Sequence, residues 1–205
     1  MRSRAITGAM LSAALALCAG GAYAETVSVC YNYGCNSRGE VAFSDAQLDE
    51  LHKLLAGAAD AAAERALVSL AVGRMYAIAG EQTPVWRDKG GNLDDSGESG
   101  QMDCIDHSAT TTAFLKLLGR RGWLRFHEVL EPLKRARLFV FAEHWSAQIR
   151  ETGARQAHVV DSWYVDNGKP AVVVSVDEWR KGRIPNLPSP ATVAKVPDPQ
   201  QPKRQ

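Results

Sequence analysis

The spacing of apolar residues changes partway along this chain, and no other feature limits the possible folds as much. In the first part apolar positions recur at helical intervals; after about residue 122 they alternate. "SDAQLDELHKLLAG" begins with Ser44 as a helix cap and Gln47 three residues on, a capping box, followed by Leu48, Leu51, Leu54 and Leu55 on one side. "ADAAAERALVSLAVGRMYAIAG" continues with an apolar stripe through Leu67, Leu70, Ala71, Met75 and Ile78, ending near Gly80. A third helix is expected to start at or next to Cys104, with Phe114, Leu115, Leu117 and Leu118 inward and Gly119 or Gly122 as its stop. The later runs "WLRFHEVL", "RLFVFA", "HWSAQIRE", "QAHVVDSWYV" and "PAVVVSV" are β-branched or aromatic and separated by turn residues. Helices first and strands afterwards define an α+β class: N-terminal helices, then a cysteine-bearing helix packed on an antiparallel β-sheet.

The two ends are expected to lie outside that domain. "MRSRAITGAMLSAALALCAGGAYA" has two arginines, a short apolar run and the Ala-x-Ala pattern of a cleavage site, so residues 1–24 read as a secretory signal peptide. A lipid anchor at Cys18 is the rival reading. Residues 184–205 are proline-rich, poor in bulky apolar side chains, and expected to be a disordered tail. Residues 25–183 then form one domain, with a helical part 25–81, a polar loop 82–100 and a core 101–183. The loop is either a lid or substrate rim beside Cys104 or a plain connector. A formal net charge of +1 gives no reason to expect nucleic acid or an anionic membrane as partner. The expected location is periplasmic or secreted, with no stable membrane insertion after cleavage.

Export changes how the four cysteines count. Cys18 leaves with the signal, and Cys30 and Cys35 in "CYNYGC" are close enough to close a small loop, so a disulfide is expected there. A metal loop or a pair of free thiols is the rival reading. Cys104 is left unpaired.

An unpaired thiol in an oxidising compartment is either a buried inert residue or a reactive one. A helix start favours the thiolate through its unpaired N–H groups and its dipole. His144 opens the run "HWSAQI", where it shares one face with Ser146 while Trp145, Ala147 and Ile149 take the other, so a polar face toward a cleft is expected. Asp161 interrupts the apolar run "HVVDSW", and a carboxylate on a mostly buried strand needs a partner. If these two runs pair antiparallel, Asp161 falls beside His144, where it would fix the ring's tautomer and stabilise imidazolium. Asp166 competes for that role. Cysteine and histidine three apart, with Asp103, also resemble half a zinc site at Asp103, Cys104 and His107, but no second Cys/His pair completes it.

Cys104, His144 and Asp161, separated by 144 − 104 = 40 and 161 − 144 = 17 positions, together with an acidic residue two places after the cysteine, as in Cys104-Ile105-Asp106, resemble the transglutaminase-like superfamily of papain-type fold. The closest likeness is to its bacterial transglutaminase-like cysteine proteinases, over residues 100–165. The resemblance implies acyl transfer or hydrolysis at an amide, with Cys104 as nucleophile, His144 as base and Asp161 as orienter. It implies a peptide or protein amide as substrate, with neither cofactor nor metal. The Cys104 N–H would form half of an oxyanion hole. Gln101 and Trp123 are candidates for the second donor, and Asp106 for support of the helix start. The alternative is a non-catalytic periplasmic binding or assembly module on the same fold.

Overall fold

The computed structural model describes residues 23–91, 99–137 and 141–182. The expected leader up to residue 22 and the proline-rich tail lie outside the described residues.

The segment 25–81, expected to be helical, instead begins with a β-hairpin. Strand β1 (Tyr23–Tyr31) pairs antiparallel with β2 (Ser37–Ser44), placing Val27 opposite Val41 and Val29 opposite Gly39. Val27, Val29, Val41 and Phe43 alternate inward and are buried in the main core. The Cys30–Cys35 disulfide closes the hairpin's tip, as the spacing predicts. Asn32, Tyr33, Gly34 and Cys35 run consecutively through the left-handed region, with φ of 67°, 61°, 63° and 58°. Three of them carry a Cβ, for which this backbone is costly, so other contacts must hold the tip.

Helix α1 (Asp45–Ala56) has the expected capping box, Ser44 with Gln47, and buries Leu48, Leu51 and Leu55. Helix α2 (Ala61–Gln82) runs two residues beyond the expected stop at Gly80 and is buried along much of its length. Its Gly73 has a reason beyond conformation: a Cβ there would lie 2.8 Å from the backbone carbonyl of Lys169, so the glycine admits a passing chain. A 3₁₀ turn (Pro84–Arg87) follows, with Val85 and Asp88 buried, and residues 92–98 of the expected loop lie outside the described residues. Gly100 sits at φ 101°, where a Cβ would come 2.1 Å from the Pro84 carbonyl oxygen. Residues 99–103 thereby lie tight against the 3₁₀ turn.

Helix α3 (Cys104–Arg120) has the expected start and buries Phe114, Leu115, Leu117 and Leu118. The C-terminal half forms an antiparallel sheet in the order β3-β4-β5-β6. Its strands are β3 (His127–Arg137), β4 (Phe141–Glu151), β5 (Ala157–Asp161) and β6 (Val172–Ser175). The run "RLFVFA" is not a separate strand: Arg137 closes β3, Phe141 opens β4, and residues 138–140 lie outside the described residues. A five-residue helix α4 (Val176–Arg180) follows β6, with Trp179 fully buried. Helix α3 packs against β1 of the hairpin and β4 of the sheet. The helix is therefore held from two sides.

Candidate active site

The site begins at the cap of α3. Asp103 Oδ1 accepts the N–H groups of Ile105 (3.0 Å) and Asp106 (2.9 Å), and the Asp103 carbonyl accepts that of His107. Asp106 accepts the Asp103 N–H in return. Every first-turn donor but one is thereby satisfied: the Cys104 N–H has no acceptor among the described residues. The Cys104 side chain, the free cysteine of the described residues, is half-buried, with Sγ 3.8 Å from the Glu143 carbonyl oxygen.

The cap is fastened to the hairpin tip. Asp106 accepts the N–H of Tyr33 (2.8 Å) and of Cys35 (2.6 Å), and Asp103 accepts that of Gly34 (2.9 Å). Successive left-handed residues point their N–H groups to one side, a concavity suited to an anion, and here the anions belong to the helix cap. Burial, followed by the neighbouring Asp103 charge, pushes the Asp106 carboxyl up to about 6. Asp106 thus supports the helix start, and its oxygens face the hairpin tip.

Strands β4 and β5 supply the partners. Their antiparallel register sets Ala147 opposite Val160, which brings His144 and Asp161 together across the 17-residue separation. His144 Nε2 lies 2.8 Å from Asp161 Oδ2, and both side chains are nearly buried. Nε2 is engaged by Asp161, and Cys104 lies near enough to the imidazole to act on its titration, while its Sγ is directed to the Glu143 carbonyl. Burial, the largest single influence on His144, favours the neutral ring. Asp161 and the Cys104 sulfur together outweigh it and raise its pKa to about 9. The expected polar face toward a cleft holds only in part. Ala147 and Ile149 do enter the core, but Ser146 is also buried and Trp145 is half-buried under the Lys134 ammonium.

An aromatic cluster surrounds the histidine, with ring centroids at 5.1 Å for Trp163, 5.5 Å for Tyr164 and 5.7 Å for Trp179. Trp179 Nε1 donates to Asp161 Oδ2 at 2.9 Å, and the Trp163 N–H reaches Asp161 Oδ1 at 3.3 Å. Arg135, directly across from His144 on β3, lies over the Trp179 ring and donates to the Trp179 carbonyl and the Tyr164 hydroxyl. Burial, with the Asp161 charge behind it, raises the Tyr164 hydroxyl's pKa and keeps it protonated. In the linear sequence Trp163 and Trp179 look like packing residues, and Arg135 and Tyr164 break no pattern. The only signal for them was an accumulation of aromatic residues near Asp161.

Other candidates lie elsewhere. Asp166 accepts the Gly90 N–H and pairs with Lys89 near the surface, so Asp161 is the partner of His144. Gln101 directs its amide to the Arg87 carbonyl at 3.3 Å. Trp123 stacks on His52 beyond the far end of the 17-residue α3, about 25 Å of helix away from Cys104. The Asp103, Cys104 and His107 trio does not converge. His107 Nδ1 meets Ser162 Oγ at 2.8 Å, while Nε2 faces Asp88 Oδ2 at 3.0 Å, an ion-pair distance off the line a hydrogen bond needs. One Cys/Asp cluster of metal-ligating type occurs among the described residues, Cys30, Cys35 and Asp106, but its two sulfurs form the disulfide.

His127 also meets a carboxylate, Glu64, at 2.8 Å in the interior. There Glu64 also accepts the N–H groups of Arg125 and Phe126, so the pair anchors the start of β3 to α2. Three histidines therefore face carboxylates; of these, His144 also has the Cys104 thiol in its neighbourhood.

Among the described residues, no helix is long and apolar enough to cross a membrane. Comparisons with protein-family models, curated proteins and solved structures find no match to this chain.

Proposed function

We propose that this chain is an exported transglutaminase-like thiol enzyme that cleaves or transfers an acyl group at an amide, with Cys104 as nucleophile, His144 as acid and base, and Asp161 as orienter. The observation that carries the proposal is the convergence of three elements on one point: a half-buried thiol at a helix start, an imidazole beside it, and a buried carboxylate behind the imidazole. A structural histidine needs no thiol, and an inert buried thiol needs no cation next to it.

In the reaction so proposed, the sulfur attacks the amide carbonyl carbon and the carbonyl electron pair moves to oxygen. The uncommitted Cys104 N–H, aimed outward at the helix start, is one donor for that oxyanion. Imidazolium gives its proton to the nitrogen as the C–N bond breaks, leaving a thioester and a free amine. Water or a second amine then attacks the thioester carbon and gives its proton to His144; the C–S bond breaks, the acid or the new amide leaves, and the thiolate–imidazolium pair is restored.

A peptide vinyl sulfone, which alkylates a cysteine only when a neighbouring acid and base activate it, tests the proposal. Labelling of Cys104, measured by mass spectrometry, is expected in the native chain and is lost in His144→Ala. Equal labelling of the two proteins overturns it. Labelling without turnover of any amide in a peptide library hands the fold to the non-catalytic binding module.

A further inference from the structure

A carboxylate oxygen has more than one lone pair, and which of them a partner meets depends on the other donors around the group; the Trp163 N–H already holds Asp161 Oδ1 at 3.3 Å. Asp161 Oδ2 has two donors, His144 Nε2 at 2.8 Å and Trp179 Nε1 at 2.9 Å. We propose that Trp179 is a positioning residue of the site: its indole N–H occupies one lone pair of Asp161 Oδ2, so that the carboxylate offers His144 a single fixed lone pair of tempered charge. This deepens the proposed triad and rests on it.

The sheet assembles the arrangement one strand at a time. Arg135 comes from β3, His144 from β4, Asp161 from β5, and Trp179 from the helix that β6 leads into. Neighbouring strands lie about 4.8 Å apart, and three strands with the helix that follows the fourth bring these groups together around Asp161. Helix α4 is set by the Ser175 hydroxyl, which accepts the Glu178 N–H. Trp179 is fully buried in a small apolar cluster with Val159 and Val176, apart from the main core. Arg135 then fixes its far side, with the guanidinium 4.6 Å above the ring and a hydrogen bond to the Trp179 carbonyl. A tryptophan serving only as packing has no need to aim its sole polar atom at the oxygen that orients the histidine, nor to be held at both ends.

The N–H and the packing can be separated chemically. Benzothienylalanine at position 179 keeps the shape of the indole and replaces its N–H by sulfur. The His144 imidazole is followed by NMR in histidine-labelled full-length chain, its resonance assigned by loss in His144→Gln. The groups facing that ring are Asp161 from β5, Cys104 from α3, Tyr164 from the turn after β5, and Arg135 from β3. Loss of the donor returns charge to Asp161 Oδ2, strengthens its hold on imidazolium, and moves the His144 titration midpoint upward by about half a unit or more.

Trp179→Phe, which also lacks the N–H, is expected to move it in the same direction, and thermal unfolding of both variants reports that α4 stays docked. A midpoint that stays in place or falls in the docked benzothienyl variant overturns the positioning role. That outcome leaves the triad standing, because vinyl sulfone labelling of Cys104 is scored separately. Conversely, a rise in the midpoint without labelling keeps the positioning role and removes the enzyme.

Discussion

His144 concentrates the site's electrostatics in one side chain. Its pKa rises from an ordinary 6.5 to about 9, so the folded chain holds a proton that the unfolded chain releases earlier. The stability this contributes is complete below about pH 6.5 and is lost as pH rises through about 9. Thermal unfolding of the native chain and of His144→Gln between pH 6 and 10 is therefore expected to show a gap that narrows across this window; a constant gap would sink the assignment. Replacing Asp161 with Asn removes the charge that favours imidazolium, and alkylation of Cys104 by iodoacetamide at neutral pH is expected to fall roughly tenfold or more. Cys104, His144 and Asp161 were legible in the sequence because each breaks its local pattern: an odd cysteine, a histidine opening a strand, a carboxylate in an apolar run. Trp179 and Arg135 break none. A buried tryptophan looks like core in a linear sequence, and only the strand order reveals where its nitrogen points.

At the scale of elements, the hairpin tip and the start of α3 form one unit. Replacing Asp106 with Ala strips the acceptor from the Tyr33 and Cys35 N–H groups, and amide exchange at both is expected to accelerate by roughly tenfold, as for the loss of a bond worth about 1.4 kcal/mol. Unchanged exchange at those two amides would mean that the tip holds itself. Gly73→Ala is a test of close approach. Alanine gains about 1 kcal/mol of helix propensity, but its Cβ would press on the backbone at Lys169 and Pro170, so a net loss of about 1–3 kcal/mol in urea unfolding is expected. The helices were legible from caps and stripes, and the capping box at Ser44 was readable to the residue. The hairpin was not. Its Val27, Val29, Val41 and Phe43 do alternate, but each apolar run is short, and "CYNYGC" between them reads equally as a cysteine loop with no strands attached. The disulfide and the hairpin are the same feature, seen once as chemistry and once as backbone.

For the molecule as a whole, the described domain is α+β, with α3 between a two-stranded hairpin and a four-stranded antiparallel sheet. The hairpin also bears on which sulfurs pair when the chain folds under oxidising conditions. Cys30 and Cys35 are 5 residues apart, whereas Cys104 is 104 − 35 = 69 from the nearer of them. Bringing the ends of a flexible segment together costs more entropy as it lengthens, by about 0.6 kcal/mol per doubling. Among Cys30, Cys35 and Cys104, the two nearby sulfurs are therefore favoured to pair with each other, which removes both as partners for Cys104. Cys35→Ser restores Cys30 as a partner, and non-reducing peptide mapping after oxidative refolding is expected to recover a Cys30–Cys104 crosslink absent from the native chain. Recovery of two free thiols instead would show that the native contacts alone protect Cys104. The short ring at the hairpin's tip thus acts as a sacrificial partner in reverse: by consuming its own neighbours first, it delivers the distant sulfur to the folded state unspent.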